Sequence, residues 1–554
     1  MPRFVRAFFC VSFYGFCYAL FWLVPGAARA QSKPPELAAQ CRALYGVTLP
    51  AQVIAMPTRG VHIDSAAMIP ATTAGNQSHE YCRITGSIKA ILPSTPDIHF
   101  DLNLPARWNG RALQIGGGGY DGVVVSGTGV MPFSPDHAPL AEGYATFGDD
   151  SGHTGNSALA VFGLVNEAVI NFGYAHLKKT HDAAVALIER VYGRPPERMY
   201  FAGGSTGGRE GYTVMQRFAD DYDGVIANSP ALNFSGVRLL GVALGQAEYG
   251  TPGGFVPPAL LERVYRRSLE VCDALDGARD GIVSDVEACR QHEQEIVDSL
   301  RCPPQDAPTN HADDCLTDPQ IATLSMLRDG LSLPYPLAWN ANRYAGYNVF
   351  EGTQWTGFLG LAHGPELLPS PGFFANGYLF TQGDSYVRYF VLQNEAFHSL
   401  SFNLMHPGSY RQQLFALSQT IGAMDTNLSR YIARGGKLIT LQGLADEVIS
   451  PNQTIAYYDA LIERYGAARV DSFMRLYMVP GYQHGNGVFI PSVDLLGALD
   501  NWVTRGVSPE TLSATDIAPP TNGRTRPLCR YPMFPRYLGK GNLNRASSFA
   551  CAEP

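Results

Sequence analysis

The sequence predicts an α/β fold that is interrupted by a large inserted domain. Short apolar segments alternate with helical patterns between residues 111 and 228, which is typical of a parallel sheet covered by helices. This alternation stops near residue 239, where a segment rich in Pro, Gly, aromatic residues and cysteine begins, and it resumes at residue 436. A loop without structure is implausible over such a length, so residues 239–426 are predicted to be a domain of their own.

The elements of the core are predicted in chain order from their hydrophobic patterns. Apolar runs that are too short for a helix predict buried strands. Apolar side chains recur at helical spacing over residues 167–191 and predict a long helix. The predicted strands are 84–91, 98–104, 111–115, 144–148, 198–202, 224–228, 437–441 and 472–479, and the further predicted helices are 210–218, 453–465 and 493–505.

Residues 1–30 have the pattern of a secretory signal peptide. Arg3 and Arg6 precede an apolar run from Ala7 to Val24, which is followed by Pro25 and by an A-x-A cleavage site at residues 28–30. The alternative is a retained membrane anchor, because the run is long enough to span a membrane marginally. The helix-breaking Pro25 and the small residues at the cut favour cleavage. The mature chain is therefore expected to be secreted or periplasmic, with no membrane attachment after cleavage.

The charge of the chain argues against a nucleic-acid partner, and its cysteine content predicts disulfide bonds. The formal net charge is −8, only 16% of residues are charged, and no basic run appears, so no nucleic-acid partner is expected. Eight cysteines follow the signal segment, and an even number in an exported protein implies disulfides. No C-x-x-C spacing points to a thiolate metal site or redox site. Many pairings are open, and the simplest is sequential: Cys41–Cys82, Cys272–Cys289, Cys302–Cys315 and Cys529–Cys551.

A nucleophile elbow is the most specific motif in the chain. Residues 203–207 read Gly-Gly-Ser-Thr-Gly, the G-x-S-x-G pattern, with a predicted strand before it and a predicted helix after it. Glycines beside the serine allow the sharp turn that exposes its hydroxyl group. Ser205 is therefore the predicted nucleophile.

The partners of the serine are expected after later strands of the core. In the α/β-hydrolase order an acid and then a histidine follow the serine, each just beyond a strand. The strand at 437–441 leads to Asp446, and the strand at 472–479 leads to His484. The alternatives are that Asp446 caps a helix, with Glu447 beside it, and that His484 is an ordinary loop histidine.

The oxyanion hole is predicted to use two backbone N–H groups. One belongs to Thr206, directly after the nucleophile, and the second to Gly118 or Gly119 in the Gly116–Gly119 loop. The competing interpretation of this loop is phosphate binding. It is disfavoured because the loop lacks the lysine of the G-x-x-x-x-G-K-[ST] pattern.

With these residues in place, the chain resembles the tannase/feruloyl esterase family, which includes bacterial mono(2-hydroxyethyl) terephthalate hydrolase. The resemblance runs from about residue 40 to the C-terminus. It implies an α/β-hydrolase catalytic domain formed by residues 31–238 and 427–554, a lid at residues 239–426, and the triad Ser205, Asp446 and His484. The matching stretches are 116–122, 150–153, 198–211, 272–289, 435–451 and 480–487.

The chain departs from this family at three positions. The family usually has a bonded cysteine pair, directly before the serine and directly after the histidine, where this chain has Gly204 and Gly485. The loss of both halves predicts a more mobile His484 loop and a wider pocket. Gln442 stands where the family often has a histidine, so hydrogen bonding beside the acid is expected to differ.

An acidic loop follows Cys272. Its composition alone is typical of a solvated turn, but the resemblance implies a structural Ca²⁺ site, and clustered oxygen ligands suit that ion. The implied ligands are the carboxylates of Asp273, Asp276 and Asp280 and the backbone carbonyls of Ala278 and Ile282.

The predicted function is that of a secreted serine esterase that cleaves esters of aromatic acids through an acyl-enzyme. The substrate is a small aromatic ester, either free or attached to plant cell-wall polysaccharide, and the sequence does not separate feruloyl-type, galloyl and terephthalate acyl groups. Arg343 and Arg388, which could pair with a carboxylate or phenolic oxygen, and Trp355 are candidate substrate contacts. The alternatives are a non-catalytic phenolic- or carbohydrate-binding protein on a hydrolase fold, and a serine peptidase.

Overall fold

The computed structural model describes residues 34–131, 134, 138–303, 314–369 and 373–554. The predicted signal peptide lies outside these ranges. Among the described residues, no helix is both long and apolar enough to cross a membrane.

A ten-stranded mixed sheet forms the centre of the molecule. Its spatial order is β1-β2-β3-β4-β6-β5-β7-β8-β11-β12. The strands are β1 Thr48–Leu49, β2 Val61–Ile69, β3 Tyr81–Ile88, β4 Ile98–Pro105, β5 Arg111–Ile115, β6 Ala145–Asp149, β7 Arg198–Gly204, β8 Gly224–Asn228, β11 Lys437–Gly443 and β12 Met474–Val479. Four further pairings are smaller, and their strands are β9 Leu331–Ser332, β10 Arg343–Tyr344, β13 Pro491–Ser492, β14 Leu512–Asp516, β15 Thr525–Leu528, β16 Phe534–Tyr537 and β17 Phe549–Ala552.

Helices cover the sheet and build most of the insertion. The α-helices in the described ranges are α1 Pro34–Arg42, α2 Asn166–Ile170, α3 His176–Tyr192, α4 Thr206–Arg217, α5 Phe234–Gly245, α6 Pro258–Cys272, α7 Val286–Arg290, α8 Glu293–Leu300, α9 Asp318–Asp329, α10 Tyr378–Ser385, α11 Arg411–Ile421, α12 Ser429–Arg434, α13 Pro451–Tyr465, α14 Ala467–Asp471 and α15 Leu495–Arg505. A π-helical turn, Asn171–Ala175, joins α2 to α3, so the predicted helix at 167–191 is continuous but carries one widened turn.

The half of the sheet that carries the site is parallel. β6, β5, β7, β8, β11 and β12 run in the same direction, whereas β1 to β4 pair antiparallel and β4 meets β6 antiparallel. All residues of β8 and β12 are buried, as expected for parallel strands covered on both faces. The carboxyl ends of parallel strands meet at one edge of the sheet, and the loops that leave β5, β7, β11 and β12 are therefore brought together.

The predicted strands and helices of the core are confirmed with shifts of a few residues at their ends. Two differences have a clear origin. The strand predicted at 472–479 begins at Met474, because the short helix α14 occupies residues 467–471. The helix predicted at 210–218 begins at Thr206, directly after the nucleophile.

The insertion contributes none of its described residues to the ten-stranded sheet. Its helices and aromatic side chains enclose a core that also includes Phe172 and Phe234, from beside the sheet. The boundary predicted between residues 238 and 239 falls inside α5, which is one unbroken helix. The division into a catalytic domain and a lid at 239–426 stays a proposal.

All four sequential disulfides are formed. Cys41–Cys82 ties α1 to β3, and Cys272–Cys289 closes the acidic loop. Cys302–Cys315 and Cys529–Cys551 close further loops. Each closed loop restricts the unfolded chain and so stabilises the fold.

Candidate active site

Ser205 occupies a strained turn between β7 and α4. Its φ of 58° and ψ of −118° lie where a residue with a Cβ is rarely found, which is typical of a nucleophile elbow. The Ser205 N–H donates to the Asn228 carbonyl at 2.9 Å, and its carbonyl accepts from Ala231 N–H at 3.1 Å. A Cβ on Gly203 would lie 2.6 Å from the backbone of Gly207, so the turn requires glycine there.

His484 and Asp446 form a hydrogen-bonded pair. The Nδ1 atom of His484 lies 3.1 Å from Oδ1 and 3.0 Å from Oδ2 of Asp446. Burial disfavours the charged imidazolium, but Asp446 outweighs it, so the pKa of His484 is raised. Because Nδ1 faces the carboxylate, Nε2 is the ring nitrogen left to accept a proton.

The Asp446 carboxylate is fixed by its own loop. Its Oδ1 accepts from the N–H groups of Val448 at 2.9 Å and Ile449 at 2.8 Å, and its Oδ2 accepts from Gln442 Nε2 at 3.1 Å. Gln442, the departure noted in the sequence, is fully buried and also accepts from the Thr454 hydroxyl at 2.9 Å. At the position where the family often has a histidine, the side-chain amide of Gln442 therefore donates a hydrogen bond to Asp446.

Glu447, the alternative acid, contacts the histidine loop in another way. Its Oε2 accepts from the backbone N–H of His484 at 3.0 Å, and its Oε1 accepts from Asn486 Nδ2 at 3.1 Å. Burial, and then the charge of Asp446, raise the pKa of Glu447. Glu447 thus holds the backbone of the loop, whereas Asp446 meets the ring.

The positions of the missing cysteine pair are both compatible with glycine. Gly485 has a φ of 80°, which a cysteine would adopt only with strain. A Cβ on Gly204 would meet nothing closer than 3.6 Å. The prediction of a more mobile loop and a wider pocket is not tested by these contacts and stays a prediction.

The Gly116–Gly119 loop lies directly on the elbow. Gly207 N–H donates to the Gly117 carbonyl at 3.1 Å, and the Thr206 hydroxyl donates to the Gly119 carbonyl at 2.6 Å. In the described part of the chain, no acceptor is recorded for the N–H groups of Gly118 and Gly119. Thr206 begins α4, so its N–H has no partner within the helix. These three amides are available to a developing oxyanion.

Arg238 is a buried cation that the sequence analysis missed. It is 2% exposed, and its Nε and Nη1 atoms have no hydrogen-bond partner among the described residues. Its guanidinium lies 5.0 Å from the ring centre of Tyr120 and 4.3 Å from that of Phe234. An arginine within the otherwise apolar helix α5 was the available signal in the sequence.

The three candidate substrate contacts lie in different surroundings, and their role in binding substrate stays a prediction. Trp355 is 1% exposed and packs edge-on against Tyr347 in the core of the insertion. Arg388 binds Asp384 at 3.2 Å, and both line a cavity of about 450 Å³ within the insertion. Arg343 is exposed at the start of β10. No recorded contact among the described residues joins these three side chains to Ser205 or His484.

The acidic loop is ordered by hydrogen bonds from its own backbone. Asp273 Oδ1 accepts from the N–H groups of Asp280, Gly281 and Ile282 at 3.0–3.2 Å. Asp276 is 1% exposed, and its Oδ2 has no partner in the described ranges. Burial, followed by the charges of Asp280 and Asp273, raises the pKa of Asp276 to about 6.

A cation would relieve the unpartnered Asp276 oxygen, which is the observation that fits a metal here. The Asp280 carboxylate, by contrast, already pairs with Arg526. Elsewhere in the described chain, one polar side-chain atom each of Asp121, His176 and Glu210 lies within 4.8 Å of the other two.

Comparison with known proteins gives a consistent picture. The family described as "Tannase and feruloyl esterase" matches residues 82–552. An uncharacterized esterase of Agrobacterium fabrum is 41% identical over 530 residues, covering 95% of each chain. The mono(2-hydroxyethyl) terephthalate hydrolase of Piscinibacter sakaiensis is 31% identical, covering 88% of this chain and 87% of its own. The crystal structure of feruloyl esterase B from Aspergillus oryzae superposes with a TM-score of 0.74 at 24% identity, over 93% of this chain and 100% of its own, and has the same fold.

Proposed function

The chain belongs to the tannase and feruloyl esterase family, and from this premise we propose that it is a serine esterase that cleaves esters of aromatic acids through an acyl-enzyme. The observation that carries the proposal is the elbow at Ser205 beside a glycine loop with free amides, together with the His484–Asp446 pair. An ester hydrolase needs these three components.

The proposed mechanism assigns one task to each group. His484 Nε2 accepts the proton of the Ser205 hydroxyl as its oxygen attacks the ester carbonyl. The N–H of Thr206 and an N–H of Gly118 or Gly119 stabilise the oxyanion. The alcohol then leaves with the proton from His484. Water, activated by His484, hydrolyses the acyl-enzyme and regenerates Ser205. Asp446 holds the imidazole in the required tautomer throughout.

The aromatic acyl group is inferred from the relatives that this chain matches. They include proteins named as feruloyl esterases and as a mono(2-hydroxyethyl) terephthalate hydrolase. We infer that the substrate is a small aromatic ester, free or attached to plant cell-wall polysaccharide. Four disulfides support export to an oxidising compartment, outside the cell or in a periplasm.

A panel of substrates tests the proposed function. The mature protein is offered methyl ferulate, methyl gallate, mono(2-hydroxyethyl) terephthalate, an aliphatic ester and an anilide. We expect turnover of at least one aromatic ester well above the aliphatic ester, and none of the anilide. Anilide hydrolysis would favour a serine peptidase. If a folded, calcium-supplied protein turned over nothing, the binding-protein alternative would replace this proposal.

We further propose that the acidic loop holds a structural Ca²⁺. Its ligands would be the carboxylates of Asp273, Asp276 and Asp280 and the carbonyls of Ala278 and Ile282, and the ion would neutralise the buried Asp276 oxygen. When bound, it supplies charge neutralisation and cross-links the loop, without taking part in ester cleavage.

Removal of calcium is expected to lower the Tm of the protein. Calcium at a hundredfold above its Kd adds about 2.7 kcal/mol to the free energy of unfolding, which corresponds to a Tm shift of about 2–3 °C in a chain of this length. The Tm is measured after chelation and again after calcium is restored. Asp276→Asn should abolish the response, whereas Asp298→Asn, on the surface of α8, should keep it. If the Tm of the wild-type protein did not change on chelation, the proposal of a structural Ca²⁺ would be wrong.

A further inference from the structure

Two buried carboxyl groups contact the glycine loop, namely Glu210 from α4 and Asp121 from the segment that directly follows the loop. Glu210 Oε2 accepts from Gly117 N–H at 3.2 Å, and a Cβ on Gly116 would lie 2.5 Å from the same oxygen. A Cβ on Gly117 would lie 2.3 Å from Asp121 Oδ1. Both carboxyl groups therefore contact the backbone that leads directly into the free amides of Gly118 and Gly119.

The carboxyl groups of Asp121 and Glu210 lie close together and are shielded from water. Asp121 is 4% exposed and Glu210 is fully buried. One oxygen of each, together with a ring nitrogen of His176, lies within 4.8 Å of the others. Neither oxygen of Asp121 has a hydrogen-bond partner among the described residues as long as Asp121 and Glu210 are both ionised, because two carboxylates can only accept. Two such carboxylates away from water would repel each other strongly, and a proton between them removes the repulsion.

The remaining charges around the pair already balance. Two cations face Glu210 Oε1 at 3.4 Å each, namely His176 through Nε2 and Arg209 through Nη2. His176 Nδ1 also contacts Asp149 Oδ1 at 2.7 Å. The carboxylates of Glu210 and Asp149 thus match two cations, which leaves Asp121 as the carboxyl group that carries the proton.

We propose that Asp121 and Glu210 share one proton, and that this carboxylic acid–carboxylate pair acts as a positioning device that holds the glycine loop in its oxyanion-binding conformation. Asp121 donates the proton to Glu210, and Glu210 accepts the Gly117 N–H in turn. The glycine loop is then held by hydrogen bonds, and the charges of Glu210 and Asp149 are balanced by those of His176 and Arg209. The proposal rests on the esterase function proposed above.

The electrostatic surroundings support this protonation. Burial, and then the charge of Glu210, raise the pKa of Asp121 well above its usual range, although His176 and Arg209 oppose the shift. Burial disfavours a charged His176, but Asp149 and Glu210 outweigh it and raise its pKa to about 10. At neutral pH, Asp121 therefore keeps its proton while the neighbouring His176 stays charged.

A histidine of the sequence stretch 150–153 fixes the other end of the loop. His153 Nε2 lies 2.8 Å from the Tyr120 carbonyl, and burial lowers the pKa of His153 to about 4. The neutral ring therefore donates an N–H to this carbonyl. Arg238 lies over the ring of the same Tyr120. The charged groups recorded against Asp121 are Glu210, His176 and Arg209.

Substitutions at Asp121 separate proton sharing from simple filling of space. Asp121→Asn keeps the volume and offers a permanent N–H donor to Glu210, so kcat for an aromatic ester should stay close to wild type. Asp121→Ala removes the donor, and because losing a whole oxyanion donor costs about 10²–10³ in kcat, we expect a loss of about 10-fold or more with little change in KM. Glu248→Gln, another buried acid remote from the loop, should leave kcat unchanged.

The pH dependence of stability gives a readout that does not require activity. The folded pKa of Asp121 is raised above its unfolded value, so its neutral form stabilises the fold fully below the unfolded pKa and loses that contribution as pH rises towards the folded pKa. Asparagine cannot ionise. The Tm of Asp121→Asn, relative to wild type, should therefore rise by about 3–6 °C from mildly acidic to mildly alkaline pH.

Three results would overturn the proposal. The first is equal loss of kcat in Asp121→Asn and Asp121→Ala. The second is a Tm difference between Asp121→Asn and wild type that stays constant with pH. The third is one equivalent of a transition metal in the purified protein that is lost in Asp121→Asn. If wild type proved inactive towards esters, the Tm measurement alone would still decide whether the proton is shared.

Discussion

Replacing Ser205 by alanine is expected to lower kcat for an aromatic ester by about 10⁵–10⁶, the loss that follows when the nucleophile of a serine hydrolase is removed. Alanine keeps the turn but has no oxygen to form the acyl-enzyme. The residual rate would come from the oxyanion amides and from substrate binding. Steady-state hydrolysis with the best ester of the panel measures the effect.

The control for this variant is its stability. The Tm of Ser205→Ala should equal or exceed that of wild type, because the strained turn between β7 and α4 is retained and no buried group loses a partner. Activity within tenfold of wild type in a folded variant would show that another nucleophile attacks the ester.

Replacing Asp446 by asparagine is the second large effect that we expect. The amide would donate to Nδ1 of His484 and favour the wrong tautomer, which lowers kcat by about 10⁴ in a triad of this kind. The pH profile should change as well. Asp446 raises the pKa of His484, so wild-type activity falls as pH drops through that raised value. Without the carboxylate, the acid limb of the remaining activity should move to lower pH.

Glu447→Gln is the matched control because it changes the neighbouring buried acid. Glu447 accepts from the backbone of His484 and not from its ring. We therefore expect a much smaller loss of kcat and an acid limb that stays near the wild-type position. If Glu447→Gln lost as much activity as Asp446→Asn, the assignment of the acid would have to be exchanged.

The core of the fold and the position of the triad candidates could be predicted from the sequence for a local reason. A buried parallel strand leaves a continuous apolar run, and the loop that follows it is adjacent in sequence. Ser205, Asp446 and His484 each lie just beyond such a run, so topology alone places the loops that carry them at the same edge of the sheet.

The support beneath the glycine loop could not be predicted in this way. Asp121, His176 and Glu210 come from a loop and from two different helices, and no spacing in the sequence connects them. A single histidine on a helix is more often a core residue than part of a charge network. Their role emerges only from the structure, in which Glu210 and Asp121 are buried against Gly116 and Gly117 and His176 is buried against Glu210.

The candidate substrate contacts were chosen by residue type, which does not take packing into account, and their role stays a prediction. Arg388 has an acidic partner four residues earlier in its own helical segment, Asp384, a spacing that the sequence already contains. Trp355 is large enough to fill the core of the insertion, where it is buried. Arg238 has two nitrogens without a partner among the described residues, and its place among the apolar residues of α5 was the sequence signal that could have identified it.

The proposed mechanism requires Ser205 to carry an aromatic acyl group during turnover. Acid quenching of the protein during hydrolysis of the best aromatic ester of the panel, followed by mass spectrometry of the intact chain and of its peptides, detects this group. We expect the mass of that ester's acyl group on the peptide that contains Ser205, and no such mass in Ser205→Ala. Acyl transfer to another residue, or turnover at full rate in Ser205→Ala without any adduct, would show that Ser205 is not the nucleophile.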